Sequence, residues 1–145
     1  MSADGIAMLD ASAIVAVLCQ EPGHDVVERI LESGRAATTP LAVTEALNVC
    51  RRKSHPLDNA KLRGILARDG LHVEPLTEAD VDGMLDALSR AENHRRASPK
   101  RRGETLSLAD AACITMGRRL GLSVITSDRL WVDVEFDGVT VHRFR

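Results

Sequence analysis

The stretch Ile6-Ala7-Met8-Leu9-Asp10-Ala11-Ser12-Ala13-Ile14-Val15-Ala16-Val17-Leu18 decides the architecture. Its opening apolar run predicts a buried strand, and Asp10 ends that run. The residues from Ala11 onward predict a helix, stopped by Pro22-Gly23. A strand that passes through a single acid directly into a helix is the start of an alternating α/β chain.

Outward from there the alternation continues. A helix is predicted over residues 24–32, with Val26, Val27, Ile30 and Leu31 apolar and Gly34 ending it. A short strand over 35–39 leads to a helix from Pro40 to about Lys53, and proline suits a first helical position. Pro56 opens a further helix to about Asp69, closed by Gly70, and residues 71–76 read as a third strand. Thr77 caps a helix through Leu88 to about Ala91. Residues 93–104, polar and basic with Pro99 and Gly103, read as a loop. A helix begins at Ser107 and ends at Gly121, residues 123–126 form the fourth strand, and a helical turn near Leu130 precedes a last strand over 139–142. The pattern predicts a single three-layer α/β/α domain over 1–145, with a mostly parallel sheet of about five strands.

Composition narrows the function. At 145 residues the chain can bury a core without disulfides, and its net charge of -2 argues against a surface coated in positive charge. One Trp, two Phe and no Tyr make base stacking on aromatic platforms a poor mode of recognition. Cys19, Cys50 and Cys113 are widely spaced within helical patterns, which suits small buried hydrophobes better than a disulfide framework or a zinc site. The histidines form no HxxxH pair. No leader-like or membrane-length apolar run is visible, so a cytoplasmic protein is expected.

Four acids stand out. Asp10 ends the first strand, Asp128 follows the fourth after one serine, and Glu45 and Asp110 lie early in helices opening near Pro40 and Ser107. In a parallel sheet all four positions fall at the strands' carboxyl edge, where α/β sites form. Each alone has an ordinary explanation: Asp10 and Asp128 as helix caps, and Asp110 in a capping box with Ser107. Glu45 lies near the edge of an apolar stripe with no basic residue three or four positions before it. Together the acids would repel one another unless a cation lay between them. Ligation by oxygen alone suits Mg²⁺ or Mn²⁺.

The chain resembles PIN-domain ribonucleases, most closely VapC-like toxins of toxin–antitoxin pairs. The matching segments are Leu9-Asp10-Ala11-Ser12, Thr44-Glu45-Ala46-Leu47, Leu106-Ser107-Leu108-Ala109-Asp110-Ala111 and Gly121-Leu122-Ser123-Val124-Ile125-Thr126-Ser127-Asp128. They span nearly the whole chain in the right order. The resemblance implies Mg²⁺- or Mn²⁺-dependent hydrolysis of RNA, with Asp10 and Asp110 as main metal ligands. Glu45 would complete the site, and Asp128 would hold a second metal or a water. Ser12 and Thr126 would support the carboxylates or bind phosphate. It also implies a homodimer and a small antitoxin covering the acidic groove. The apolar faces of Ile14, Val17, Leu18, Val26 and Ile30 are candidate contacts, with packing in the chain's own core as the ordinary alternative. Arg95, Arg96, Lys100, Arg101 and Arg102 are candidates for RNA backbone, with Arg51, Arg52 and Lys53 next.

Other readings share the first acid. A haloacid-dehalogenase-type phosphatase needs a second Asp where Ser12 stands. A receiver domain needs an acidic neighbour for Asp10 and a late lysine, and Lys100 is the last. An RNA-maturation nuclease, or a silent PIN-like binding module, remains as the alternative.

Overall fold

Strand β1 (Ala7–Leu9) presents three fully buried side chains. A strand with no polar face belongs inside a sheet, with neighbours on both edges and cover on both faces. In the computed structural model, which describes residues 6–97 and 105–145, it pairs in parallel with β2 (Ala36–Thr38) on one side and β4 (Ser123–Thr126) on the other. β2 pairs with β3 (His72–Val73) and β4 with β5 (Val141–Arg143), so the sheet is five-stranded, wholly parallel and ordered β3-β2-β1-β4-β5.

The helices follow from that order. Moving from β1 to β2 to β3 steps outward one way, and β4 to β5 steps outward the other way. Right-handed crossovers then put the two sets of helices on opposite faces. Accordingly α1 (Ala11–Cys19) packs with α2 (His24–Glu32) and α3 (Pro40–Arg52), and α3 touches α4 (Asn59–Arg68). The second set is α5 (Val81–Ala97), α6 (Leu108–Leu120) and α7 (Arg129–Val134), with α5 against both others. Trp131, Met8, Ile14 and Met116 are among the largest fully buried side chains. The order in which successive strands are added reverses between β1 and β4, and the crevice beyond their carboxyl ends is where such sheets bind ligands.

Several expectations need correction. The third strand is only two residues long: Glu74 still donates its amide to Thr38 (2.8 Å), but Pro75 has no amide with which to continue an edge strand. α4 starts after Asp58, whose side chain accepts from the Lys61 amide (2.9 Å), rather than at Pro56. Thr77 caps a short 3₁₀ turn, Glu78–Asp80, before α5 begins. The larger departure is at residues 93–97, which are helix and not loop. Glu92 holds Arg95 (3.9 Å) and Arg96 (2.8 Å) one turn on, the ion-pair spacing that favours helix. The last strand covers 141–143 instead of 139–142.

Ile14, Val17, Leu18 and Ile30, taken as candidate docking faces, are buried in this chain's own core, with Val26 partly buried against it. Among the described residues no helix is long and apolar enough to cross a membrane.

Candidate functional site

Asp10 is placed by β1 and used by α1. Its backbone amide reaches Ile125 of β4 (3.2 Å), fixing it between the two strands at the reversal point. Its Oδ1 accepts from the Ala13 amide (2.9 Å) and from the Ser12 hydroxyl (2.6 Å), and its Oδ2 accepts from the Thr126 hydroxyl (2.5 Å). The Asp10 carboxyl is therefore both a helix cap and the hub of a bridge between strands. Ser12 in turn accepts from the Ser127 amide (3.0 Å), and Thr126 from the Asp128 amide (3.0 Å). Both hydroxyls thus orient Asp10 and hold the loop after β4.

The other acids arrive from separate elements. Asp110 closes a capping box at the start of α6: its Oδ2 accepts from the Ser107 amide (3.0 Å), and its own amide donates to the Ser107 hydroxyl (3.1 Å). Asp128 caps α7 by accepting from the Leu130 amide (2.9 Å). Glu45 lies on α3, which Thr39 caps, and is half-buried. All four acids, with Ser12, line one cleft of about 390 Å³. The ordinary capping roles and the convergence are therefore both present, because the carboxyl edge of a parallel sheet is also where its helices begin.

Charge in this cleft is costly. Asp10 is 3% exposed, and burial raises its pKa from 3.8 to about 6. Three hydrogen bonds oppose that rise, while Asp128 adds to it. Burial likewise raises Asp110 to about 7, with the negative charges of Asp10 and Glu45 contributing against the bond from Ser107. Among the described residues no three acid, histidine or cysteine side chains stand close enough to form a finished cation cage. The donor chemistry nonetheless fits a hard divalent ion. Only oxygens are offered, and the like charges that disfavour ionisation are what a cation would offset.

Sequence reasoning missed a second layer of the cleft. Glu21, Lys53 and Arg145 also line it. Glu21 holds Lys53 at 2.6 Å and Arg145 at 3.4 Å, and these partners, above all the bond from Lys53, keep its carboxyl below the usual range. Of these, Lys53 alone had been a candidate, as a substitute in the basic patch. Arg95 and Arg96 are not among the lining residues, and Lys100, Arg101 and Arg102 lie outside the described residues. A larger groove of about 1310 Å³ runs between α3 and α4 and is lined mainly by apolar side chains such as Leu41, Leu47 and Leu66. It shares Glu45 with the acidic cleft and reaches Ser107.

Comparison with known proteins bears on the whole arrangement. Among solved structures the chain is similar to VapBC of Salmonella typhimurium, DNA-bound, at TM-score 0.66 and 18% identity over 97% of this chain and 98% of that one. It is also similar to VapBC2 of Rickettsia felis bound to a promoter DNA fragment, at 0.64 and 11% over 95% and 98%. The third is VapC20 of Mycobacterium tuberculosis, a sarcin-ricin loop cleaving toxin, at 0.60 and 15% over 92% and 98%. At these identities the likeness speaks for the fold. No curated protein matches. The family model described as the PIN domain matches residues 7–137, a span that takes in β1, all four acids of the cleft and all but the last strand, and the chain belongs to that family.

Proposed function

We propose that the chain, acting as a single domain, is an Mg²⁺- or Mn²⁺-dependent ribonuclease and the toxin of a toxin–antitoxin pair. The observation that carries this is the meeting of Asp10, Glu45, Asp110 and Asp128, from separate elements, in one cleft at the point where the strand order of the parallel sheet reverses. Membership of the PIN-domain family and the likeness to VapC folds support it.

In this reading Asp10 and Asp110 hold the cation, and Asp128 contributes a further oxygen or a second cation position. When bound, the ion neutralises charge on the scissile phosphate and acidifies water. Ser12 and Thr126 fix the Asp10 carboxylate by two short hydrogen bonds, so it needs no reorganisation on binding. Glu45, half-buried at the cleft wall, orients the attacking water and takes its proton. Lys53, beside Glu21, supplies positive charge for the RNA backbone at the rim.

Two protein partners belong to this reading. A small antitoxin would cover the acidic cleft with a basic side chain. The apolar groove beside Glu45 and the 64% exposure of Leu108 on its wall favour a protein contact there, and a second copy of the chain completes the complex.

The test is cleavage of single-stranded and structured RNA by the purified chain with Mn²⁺, with EDTA, and with Asp110→Asn as control. Cleavage that needs the metal and is lost in the variant is the expected result. EDTA-resistant cleavage, or equal rates for variant and wild type, would overturn it.

A further inference from the structure

Two of the three cysteines are neighbours, which their spacing in sequence had hidden. Cys19 ends α1 and Cys50 lies near the end of α3, and their sulfurs are 3.7 Å apart with no disulfide between them. Cys50 is fully buried and Cys19 only half-buried, whereas Cys113 is buried elsewhere with its thiol on the Leu9 carbonyl (3.7 Å). We propose that Cys19 and Cys50 are an oxidisable dithiol, a modification site at which hydrogen peroxide produces an intramolecular disulfide joining α1 to α3.

The two thiols have unequal roles. Burial, with the adjoining Cys19 sulfur, pushes the Cys50 thiol up to about 11, so Cys19, which solvent reaches, is the group that meets the oxidant. The Cys19 sulfur attacks one peroxide oxygen and the O–O bond breaks. Cys19 becomes a sulfenic acid, and the departing hydroxide takes up the Cys19 proton to leave as water. The Cys50 sulfur then attacks the Cys19 sulfur, the S–O bond breaks, and a second water leaves with the Cys50 proton. Two thiols are oxidised by two electrons in total and one peroxide is reduced to two waters. At 3.7 Å the sulfurs are already in contact, and forming the bond requires them to close to ~2 Å.

The position gives the bond its consequence. Cys50 follows Glu45 by five residues on α3, and Cys19 precedes Glu21 by two. A link here ties together the two elements that bring Glu45, Lys53 and Glu21 to the cleft.

The full chain, folded and reduced, would be treated with hydrogen peroxide at a one-to-one ratio, alkylated, digested without reductant and read by mass spectrometry. Expected are the loss of two of three free thiols, a linked pair of peptides carrying Cys19 and Cys50, and a melting temperature raised by several degrees and restored by dithiothreitol. In Cys50→Ser, Cys19 should accumulate as a sulfenic acid trapped by dimedone. Retention of all three thiols, linkage of Cys19 to a second chain or to Cys113, or over-oxidation of wild-type Cys19 without linkage would each overturn the proposal.

Discussion

Replacing Asp10 by Asn isolates the cost of the buried charge. The amide keeps the shape of the carboxyl, can accept from Ser12 and the Ala13 amide through its oxygen, and can donate to Thr126 through its nitrogen. What it removes is ionisation. Asp10 has its pKa raised from 3.8 to about 6 by burial, so the folded chain binds this proton more tightly than the unfolded chain does. The stabilisation is therefore present below about pH 4 and is lost as pH rises through 6. At 1.36 kcal/mol per pH decade the loss is about 3 kcal/mol. Urea unfolding in EDTA, at intervals from pH 4 to 7.5, would follow it in both proteins. The advantage of the variant over wild type should grow from near zero at pH 4 to about 3 kcal/mol at pH 7.5. The difference cancels groups that titrate alike in both, including Glu21 and Asp80, whose lowered pKa values act in the opposite sense. The figure of about 3 kcal/mol slightly understates the expected difference, since the variant also relieves Asp110 of the Asp10 charge. A difference that stays flat with pH would mean that Asp10 ionises as freely in the fold as in the open chain, and the cleft would not be a place of costly negative charge.

Other outcomes follow from the same geometry. Asp110→Asn should reduce RNA hydrolysis by at least about 100-fold, the upper loss typical for groups that only support a metal site, with the fold intact by circular dichroism. Lys53→Ala should flatten the plot of log affinity for RNA against log salt by roughly 0.7 for a single strand; an unchanged slope would show that Glu21 already neutralises this lysine. Gly83→Ala should destabilise the fold by about 1–3 kcal/mol in urea unfolding, because the new Cβ would stand 2.6 Å from the Thr115 methyl where α5 meets α6.

What could be read from the sequence was what local chemistry sets. The α6 boundaries fell where Ser107 and Gly121 put them, because a capping box and a left-handed glycine are local devices. β4 was equally clear, a buried apolar run bounded by Gly121 and Asp128. The acids at helix starts could be placed on one edge because a parallel sheet leaves them nowhere else to go. Sequence reading failed where a distant residue or a neighbour on the next turn decided the outcome. The basic run at 93–97 looked like a loop until Glu92 was seen to satisfy it as helix. β3 was cut short by having a single partner strand and a proline at its end. Glu21, Lys53 and Arg145 belong to the cleft only because the fold brings them together, and no local spacing marks them. The nearness of Cys19 to Cys50 was invisible for the same reason.

The cation is the central claim, and calorimetric titration of Mn²⁺ into the metal-free chain tests it most directly. Wild type should show saturable binding at pH 7.5, weakening as pH falls through about 7 and 6, where Asp110 and Asp10 take up protons. Asp10→Asn and Asp110→Asn should each lose most of that affinity. No saturable heat in wild type, or equal affinity in both variants, would contradict a metal held by these carboxylates.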